Sequence, residues 1–412
     1  MKEIKPEFET YARIKVVGIG GGGNNAISRM TEANLKGIDF IAINTDAQDL
    51  HHCKVSEKIH IGKNLTRGLG AGMNPDVGRQ AAEENKDEIQ DALKNSDMVF
   101  ITCGLGGGTG TGAAPIIAET ARDAGALTVA IVTKPFAFEG LQRKRIAEEG
   151  LENLKNQVDT IITIPNDKIL QVIDKKNLLL ESFKIADDIL RQGVQGISDL
   201  ITTPGIVNVD FADVKAIMEN TGPSLMGIGK ASGESRAVEA AKQAINSPLL
   251  ELSVDGAKGV LFNVSGGSDL TMMEINEAAN IITESIDTDA KVIFGAITDE
   301  SLKKGEIKVT VIATGFGDQS GRKSDLAKTR ENFEIEFKTE TKDAETKETE
   351  IKVENKEVEE LAKEKENEVV KEKDKKSTGG FFSPNVNPIK YDDEYDVPAF
   401  IRKKMNKKKG EE

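Results

Sequence analysis

The stretch CGLGGGTGTGAAP, residues 103–115, constrains the fold more than any other part of this chain. Glycine occupies six of the nine positions from Gly104 to Gly112, and only leucine and threonine interrupt it. The apolar run DMVFIT precedes the stretch, and an amphipathic pattern follows it. Glycine lets the backbone approach a ligand closely and adopt positive φ without strain. A strand, a glycine turn and a helix in this order predict an α/β fold with a ligand held by main-chain atoms.

The first part of the chain alternates short apolar runs with helical patterns. The predicted strands are RIKVVGIG, FIAINT, DMVFITCG, LTVAIVT and TIITIPN, and stretches such as NNAISRMTEANL lie between them. Alternating strands and helices indicate a mostly parallel sheet that is covered by helices on both faces. Ligands of such sheets bind beyond the carboxyl ends of the strands, which is where the glycine runs fall.

A long helix and a second, smaller unit follow. Apolar residues recur at spacings of three and four in the predicted helix, namely Leu179, Phe183, Ala186, Leu190, Val194, Ile197 and Ile201. Pro204 in the TTPG stretch ends it. The helices SRAVEAAKQAI and MMEINEAANIITESI and the strands KGVLFNVSGG, KVIFGAIT and EIKVTVIATGF then predict a smaller α+β domain.

Composition excludes several classes of function. The net charge of −14 argues against a nucleic-acid-binding protein, because a phosphate backbone requires a basic face. No apolar run approaches the ~20 residues that span a bilayer. The two cysteines form no disulfide framework, so we expect a cytoplasmic protein. After Gly317, about seventy residues rich in Lys, Glu and Thr cannot bury enough surface to fold, and an apolar segment, YDVPAFIRKKM, follows them.

Two glycine loops predict a phosphate site. GIGGGGNNA, residues 18–26, also follows a strand, and both loops lead into helices, whose free N–H groups and positive dipole attract anions. Gly18, Gly20 and Gly23 match the dinucleotide pattern G-x-G-x-x-G, but the nearest acid, Asp46, lies past the end of the second strand. Neither loop contains the lysine of a Walker-type P-loop. A bound Mg²⁺ would then neutralise the phosphates.

Several motifs together resemble the tubulin family and, within it, the FtsZ-like cell-division proteins of bacteria. They are GIGGGGNNA, NTDAQDL, GLGAGMNPDVGR, GLGGGTGTGAAP, TKPFAFEG, ITIPND and NVDFADVK, in this order between residues 13 and 316. The resemblance implies a tubulin-like, Rossmann-type GTPase domain with a parallel sheet, a long central helix, a smaller α+β second domain and a disordered C-terminal tail. The implied boundaries are a flexible N-terminus at 1–12, a GTP-binding domain at 13–176, the central helix at 177–202, a catalytic loop and helix at 203–220, the α+β domain at 221–316, a charged linker at 317–390, and a docking peptide with a basic tail at 391–412.

The resemblance also implies the residues that bind GTP or GDP. The phosphates would be held by Gly21, Gly22, Gly23, Asn24, Asn25, Ala71, Gly72, Gly108, Thr109 and Gly110. Glu139 and Arg143 would contact the ribose, while Asn166 and Asp187 would read guanine and Phe183 would pack against the base. An aspartate accepts from guanine N1–H and the N2 amino group, whereas adenine offers only an acceptor there.

Two acids in TPGIVNVDFADVKAIM have two interpretations. From the residues alone, Asp210 is a helix N-cap and Asp213 lies in a favourable first turn. The resemblance implies instead that Asn208, Asp210 and Asp213 reach the nucleotide of the next subunit and orient the attacking water. Mg²⁺ would come with the nucleotide, with Asp46 or Asp210 as a possible ligand. Hydrolysis would then require head-to-tail contact, and such a contact produces open filaments.

The tail adds an expected partner. Asp396, Val397, Pro398, Phe400, Ile401 and Arg402 resemble the family's terminal peptide, which docks on membrane-anchoring and regulatory division proteins. The basic end KKMNKKKG contacts the membrane weakly or only adds solubility. The resemblance implies a homopolymer at the mid-cell division ring, on the inner face of the membrane.

Three classes of function remain open at this point. The first is a GTP-hydrolysing filament subunit. The second is a non-hydrolysing GTP-binding scaffold, which the loss of an acid in the 208–213 loop would favour, although both acids are present. The third is an NAD-dependent oxidoreductase that uses the GIGGGGNN loop, which leaves GGGTGTG and NVDFADVK without a purpose.

Overall fold

The computed structural model describes residues 12–170, 179–203, 205–247, 250, 254, 256–299 and 302–316. Pro204, the charged linker and the predicted docking peptide, Asp396 to Arg402, lie outside these ranges. The strands are β1 (Ile14–Ile19), β2 (Ile38–Asn44), β3 (Glu57–His60), β4 (Met98–Gly104), β5 (Leu127–Lys134), β6 (Thr160–Pro165), β7 (Gly222–Ser232), β8 (Gly259–Gly266), β9 (Lys291–Thr298) and β10 (Glu306–Thr314).

The helices follow the strands in alternation through the first half. They are α1 (Gly20–Glu32), α2 (Ala47–His52), α3 (Lys63–Thr66), α4 (Pro75–Glu84), α5 (Lys86–Leu93), α6 (Gly108–Asp123), α7 (Leu141–Lys155), α8 (Asn166–Ile169), α9 (Leu179–Thr202), α10 (Phe211–Met218), α11 (Arg236–Ile245) and α12 (Met272–Thr283). Within the described ranges no helix has the length and apolar character to cross a membrane.

The strands of the described residues form one sheet in the order β3-β2-β1-β4-β5-β6-β7-β10-β8-β9. From β3 to β7 the pairs are parallel, so the carboxyl ends of β1, β4, β5 and β6 share one edge, which we call the carboxyl edge. The opposite end of these strands is the amino edge. β10 is antiparallel to both β7 and β8. The sheet therefore continues from the first half of the chain into the second through β7.

β7 and β3 are the strands that the sequence did not reveal. β7 reads GPSLMGIGKAS, in which small residues interrupt the apolar pattern. Its glycines have a packing reason, because a Cβ on Gly227 or Gly229 would lie 1.9 Å from a backbone oxygen of α11, that of Ala244 or Ala240. Helix α11 thus rests directly on the backbone of β7.

Helix α9 crosses the first half of the sheet from one edge to the other. The predicted stripe is buried at Ala186, Leu190, Val194 and Ile197, which pack in the same core as α1 and β1. Phe183 of that stripe is 39% exposed, so it does not belong to the core. At the other end, Thr202 lies against Gly37, just before the start of β2. The helix therefore begins near the carboxyl edge and ends at the amino edge.

Candidate functional site

A cavity of about 390 Å³ opens at the carboxyl edge of the sheet. Its wall includes Ile19, Gly20, Gly21, Gly22, Asn25, Gly72, Gly104, Leu105, Gly107, Gly108, Thr109, Gly110, Thr133, Pro135, Glu139, Arg143, Asn166, Phe183, Ala186, Asp187 and Leu190. Both glycine loops and the start of α9 thus meet in one place. The volume lies in the range of small-molecule sites.

Two helices begin at this cavity without a side-chain cap. The N-cap residue of α1 is Ile19 and that of α6 is Gly107, and neither side chain accepts a hydrogen bond from its helix. The first N–H groups of a helix otherwise require partners, and the helix dipole makes this end positive. One of them is satisfied, because the Gly108 N–H donates to the Gly72 carbonyl at 2.8 Å. Two uncapped helix starts in one cavity form a strong site for an anion.

The glycines of the second loop have two different roles. Gly107 faces open space, since a Cβ there would meet no atom within 4 Å. In contrast, a Cβ on Gly108 would lie 2.6 Å from the Gly72 oxygen, and one on Gly112 would lie 1.9 Å from the Pro75 oxygen. The cluster therefore allows α6 to pack tightly against the start of α4 as well as leaving room in the cavity.

The threonine hydroxyls of this loop make hydrogen bonds to other groups of the same chain. The hydroxyl of Thr109 is 2.6 Å from that of Thr45, and the Thr111 hydroxyl oxygen accepts from the Gly106 N–H at 2.9 Å. The predicted phosphate contact Thr109 lies in the cavity wall, and its hydroxyl and that of Thr111 also stabilise the loop itself.

The largely buried carboxylate of Asp187 forms the side of the cavity wall that α9 supplies. Asp187 on α9 accepts from Arg29 Nε of α1 at 3.0 Å, and its side chain is only 16% exposed. Burial raises the pKa of Asp187 to about 6, although Arg29 opposes the shift. Phe183 lies one turn earlier, with its ring 5.3 Å from that of Phe136 and nearly perpendicular to it. A half-exposed ring next to a desolvated acceptor fits a planar base that carries N–H donors.

Asn166 provides a second acceptor in the same wall. It is the first residue of α8, and the side chain is 6% exposed. Its Oδ1 atom is buried without a hydrogen-bond partner among the described residues. An orphaned buried acceptor is costly, so a donor from a ligand would satisfy it. Asn166 and Asp187 together fit the amino and imino groups of guanine.

Glu139 and Arg143 form an ion pair at the rim. They are four positions apart, on either side of the start of α7, and Glu139 Oε1 also accepts from the Phe136 N–H at 2.9 Å. The structure thus brings twelve predicted nucleotide contacts to the cavity wall, and the three others, Gly23, Asn24 and Ala71, lie outside it. Gly23 of α1 packs against β4, since a Cβ there would lie 2.4 Å from the Thr102 oxygen.

Asn208, Asp210 and Asp213 lie away from the cavity. All three are exposed, and they sit between the end of α9 and α10. The end of α10 is at the amino edge, where the Met218 carbonyl accepts from the Thr160 hydroxyl at the start of β6. At 1.5 Å per residue, the stretch of α9 from Asp187 to Thr202 is about 22 Å long. One chain therefore does not bring its own acids to its own cavity.

Each of the three polar residues is held locally. The Asp210 carboxylate accepts from the Asp213 N–H at 2.8 Å and caps α10, as the sequence alone predicted. Asn208 Oδ1 accepts from the Gly205 N–H at 2.7 Å. The segment 205–209 lies alongside β9, and the Ile206 N–H donates to the Ala296 carbonyl of that strand at 2.7 Å. These contacts fix the loop and leave the acids facing solvent.

The structure describes no preformed metal centre. Among the described residues, no three His, Cys, Asp or Glu side chains are grouped so that they could hold an ion. Asp46, a possible ligand, caps α2 by accepting from the N–H groups of Gln48 and Asp49. Any cation at the site would therefore depend on ligands beyond this chain's own side chains.

Sequence reasoning missed Arg29, Gly107 and Thr133. Arg29 reaches Asp187 across 158 positions of sequence, and no local pattern reveals such a pair. Thr133, the next-to-last residue of β5, lies beside the cavity and reads as an ordinary strand residue. Gly107 is part of the quoted motif, but only the structure separates its role from that of the packing glycines.

Comparisons with known proteins give consistent matches. Residues 13–174 match the model of the Tubulin/FtsZ family GTPase domain, and residues 222–317 match that of the FtsZ family C-terminal domain. An empty FtsZ dimer from M. jannaschii is similar, with 50% identity, a TM-score of 0.73, and coverage of 76% of this chain and 90% of that one.

Two other solved structures extend the comparison. A point mutant of FtsZ from M. jannaschii shares 49% identity at a TM-score of 0.72, over 76% of this chain and 93% of its own. A GTPγS-bound protofilament of CetZ2 from Haloferax volcanii shares 20% identity at a TM-score of 0.65, over 78% and 99%. At that identity the likeness concerns the fold alone.

Proposed function

This chain belongs to the Tubulin/FtsZ family, and from that premise we propose that it binds GTP in the cavity at the carboxyl edge and hydrolyses it in head-to-tail filaments. It is a tubulin-like cytoskeletal protein of the filament-forming kind. The proposal is carried by the separation of two parts of the proposed catalytic site. The cavity and the exposed acids Asp210 and Asp213 lie at opposite edges of the sheet.

Guanine selectivity follows from two acceptors. The Asp187 carboxylate would accept from N1–H and the N2 amino group of the base, and Asn166 Oδ1 would accept a further N–H. Adenine presents an acceptor at N1, which would face the Asp187 carboxylate without a donor and leave Asn166 Oδ1 unpaired. Phe183 would pack against the base, and Glu139 and Arg143 would contact the ribose.

The phosphates would lie against the uncapped starts of α1 and α6. Main-chain N–H groups of Gly21, Gly22, Thr109 and Gly110 would donate to them, and Gly72 of the neighbouring loop would close on the terminal phosphate. The wall contains no lysine, and its Arg143 is paired with Glu139, so the dipoles of the two helices are the main unpaired positive groups there. Mg²⁺, bound with the nucleotide, would supply the remaining neutralisation of charge.

Hydrolysis would use the loop of the next subunit. Phosphoryl transfer depends on positioning and charge more than on covalent chemistry. Asp210 and Asp213 of one copy, with Asn208, would orient the attacking water at the terminal phosphate that the neighbour holds. A contact that joins the carboxyl edge of one subunit to the amino edge of the next is heterologous and does not close, so it produces a filament.

Exposed apolar side chains support such a contact. Leu69 lies three positions before Gly72 of the cavity wall, and it is 84% exposed. Phe138 and Leu141 lie within two positions of Glu139 of the same wall, and they are 58% and 85% exposed. At the other edge, Ile206 precedes the acids and is 57% exposed. Apolar groups that flank a polar site are typical of protein interfaces. The FtsZ dimer and the CetZ2 protofilament are known assemblies of similar proteins.

In the cell, such filaments would organise division on the inner face of the membrane at mid-cell. The apolar peptide at 391–412, which lies outside the described residues, would dock on membrane-anchoring division proteins. A non-hydrolysing scaffold is the second candidate, and only measured turnover separates it from the first.

The test is phosphate release as a function of protein concentration, with GTP and Mg²⁺, and with ATP or EDTA as controls. We expect a GTP-specific rate per molecule that rises steeply above a threshold concentration, together with light scattering. A rate per molecule that is independent of concentration would overturn the shared site. Assembly without phosphate release would favour the scaffold.

A further inference from the structure

The turn after α10, residues 219–222, is fastened to the starts of β5 and β6. The Asn220 N–H donates to Asp159 Oδ1 at 3.4 Å, and the Gly222 N–H donates to the Asp159 carbonyl at 2.8 Å. The hydroxyls of Thr160 and Thr221 are 2.9 Å apart. Asp159 in turn accepts from the Thr128 N–H at 2.9 Å. The carboxyl end of α10 is thus anchored on the amino edge of the sheet.

One contact to this turn comes from a different element. Arg122, in the last turn of α6, donates through Nη2 to Asn220 Oδ1 at 2.5 Å, and its Nε is 3.9 Å from Asp159 Oδ1. Asn220 has φ of +54°, a conformation that asparagine tolerates better than most residues. Because the Asn220 side chain is hydrogen-bonded to Arg122, a contact from another helix stabilises this left-handed turn in addition to the backbone hydrogen bonds of the turn.

The orientation of α10 depends on that anchor. The helix has eight residues and is about 12 Å long, so a small rotation at its end moves its start appreciably. Val214, Ile217 and Met218 bury one side of it, while Asp210 and Asp213 at its start are exposed. The direction of the acids would therefore depend on the contacts at both ends of the helix, those that fix the loop at 205–209 and those that hold residues 219–222.

We propose that Arg122 is a positioning residue for the reaction, which acts through Asn220 to set the direction in which α10 presents Asp210 and Asp213 to the neighbouring subunit. The inference rests on the proposed function. Arg122 lies at the far end of α6 from the phosphates, so it touches neither the nucleotide nor the acids. Its effect would be on turnover within the filament, without effect on GTP binding by the single subunit.

The first test is Arg122→Ala. The side chain is 42% exposed, so its loss is compatible with folding. We expect turnover at saturating GTP to fall about threefold or more, with unchanged GTP affinity below the assembly threshold and an unchanged threshold. Arg122→Lys, which keeps a donor, should recover part of the rate. Arg13→Ala is the matched control, because that arginine also pairs with an acid at the amino edge, Asp97, and should leave turnover unchanged.

A double-mutant cycle tests the route through Asn220. Asn220→Gly keeps the left-handed turn and removes the acceptor, so it should lower turnover as Arg122→Ala does. The double variant should be no slower than either single one, because both remove the same contact. Additive losses would mean that Arg122 does not act through Asn220. Asn220→Gly by itself still tests the proposal if Arg122→Ala is poorly folded.

Mixed assemblies identify the edge at which Arg122 acts. Gly107→Phe fills the cavity and leaves the acid loop intact, so it can supply a normal α10 to an Arg122→Ala neighbour. At equal amounts, the rate per Arg122→Ala subunit should rise roughly twofold, since about half of its cavities then meet a normal loop. Mixing with Asp213→Ala should lower it.

The outcomes separate this inference from the proposed function. Reduced GTP affinity of the single Arg122→Ala subunit, normal turnover, or no rise in the mixture with Gly107→Phe would each overturn the role of Arg122. If Asp213→Ala itself hydrolyses at the normal rate, the shared site is wrong and Arg122 has no acids to position. If Asp213→Ala is inactive and Arg122→Ala is normal, only the inference fails.

Discussion

The cavity at the carboxyl edge is formed mainly by backbone and buried side chains, whereas the loop at 205–213 presents exposed side chains. Asn166 is buried with an unsatisfied oxygen and Asp187 carries a raised pKa, so this half is desolvated before any ligand arrives. Asp210 and Asp213 remain in water. One half of the proposed site is therefore preorganised within a subunit, and the other half becomes desolvated only on contact with a second subunit.

This difference would make the proposed hydrolysis dependent on assembly for a physical reason. Electrostatic interactions are weak in water and strengthen when solvent is excluded. Acids that stay exposed in the monomer cost little to maintain, and under the proposed function they would act only when a neighbour covers them. Variants at the two edges should therefore have different signatures: loss of GTP binding at the carboxyl edge, and loss of turnover alone at the amino edge.

Gly107→Phe should have the largest effect on binding. Its φ of −93° and ψ of 172° suit any L-residue, and a Cβ would meet no atom within 4 Å. The ring would then occupy the cavity without straining the chain. We expect GTP affinity below the assembly threshold to fall by about a hundredfold or more, as measured by titration with a fluorescent guanine nucleotide.

Gly107→Ala is the control for that variant. A single methyl group leaves most of the 390 Å³ open, so affinity should change only a few fold. Equal thermal unfolding temperatures for both variants would show that the phenylalanine blocks the cavity without disturbing the fold. Normal GTP affinity in Gly107→Phe would mean that the nucleotide binds elsewhere.

Asp213→Ala should show the opposite signature. It removes an exposed acid that makes no contact with the cavity of its own chain, so GTP affinity and assembly should be retained. Turnover should fall about a hundredfold, as expected for the loss of a group that positions the reacting water. The measurement is phosphate release above the assembly threshold.

Glu239→Ala is the matched control for Asp213→Ala. Glu239 is also an exposed acid in the first turn of a helix, α11, so its loss removes the same favourable dipole interaction. Turnover should be unchanged in that variant. If Asp213→Ala instead loses GTP affinity as a single subunit, the assignment of this acid to the neighbour's nucleotide is wrong.

Leu141→Gln tests whether the exposed apolar side chains near the cavity take part in the contact between subunits. Leu141 begins α7 beside Glu139 and is 85% exposed, so the single subunit gains nothing from it. If the next subunit covers it, the polar replacement should raise the assembly threshold about tenfold, which corresponds to ~1.4 kcal/mol. Light scattering against protein concentration measures the threshold. Leu141→Met keeps the apolar contact and should assemble normally, and equal thresholds for both variants would place the interface elsewhere.

The sequence predicted one half of this comparison far better than the other. The glycine loops and the strands around them follow from local patterns, and the structure confirms the α/β fold and its mostly parallel sheet. The helix-cap role of Asp210 was also readable locally. The exposure of Phe183 was not predictable from the local pattern, because its spacing matches a core stripe. Only the position of α9 beside the cavity leaves this side chain half-exposed.

Features that depend on distant contacts were beyond local patterns. The partner of Asp187, Arg29, is on another helix. The pattern of β7 does not predict a strand, because the packing of α11 requires glycine at positions where a strand would otherwise have apolar residues. The separation of Asp210 and Asp213 from the cavity follows from the course of α9. The roles of these residues in binding and hydrolysis remain predictions.

The pH dependence of binding should be the smallest of these effects. Burial raises the pKa of Asp187 to about 6, so the free subunit gains a proton on this group as pH falls through 6. Guanine requires the ionised carboxylate, so GTP affinity should fall about fourfold between pH 7.5 and 5.5. Stability changes in the opposite direction. The unfolded chain holds this proton less tightly, so the cost of the buried charge, present above pH 6, is relieved as pH falls from 6 towards 4.

Asp187→Asn provides the background for this measurement. The terminal phosphate of the nucleotide titrates in the same range, so some pH dependence arises without Asp187. The variant should bind GTP more weakly at pH 7.5 and show a flatter profile below it, in nucleotide titrations carried out under the assembly threshold. The difference between the two profiles belongs to Asp187. Identical profiles would mean that this carboxylate does not meet the base, and guanine selectivity would then have to come from Asn166 alone.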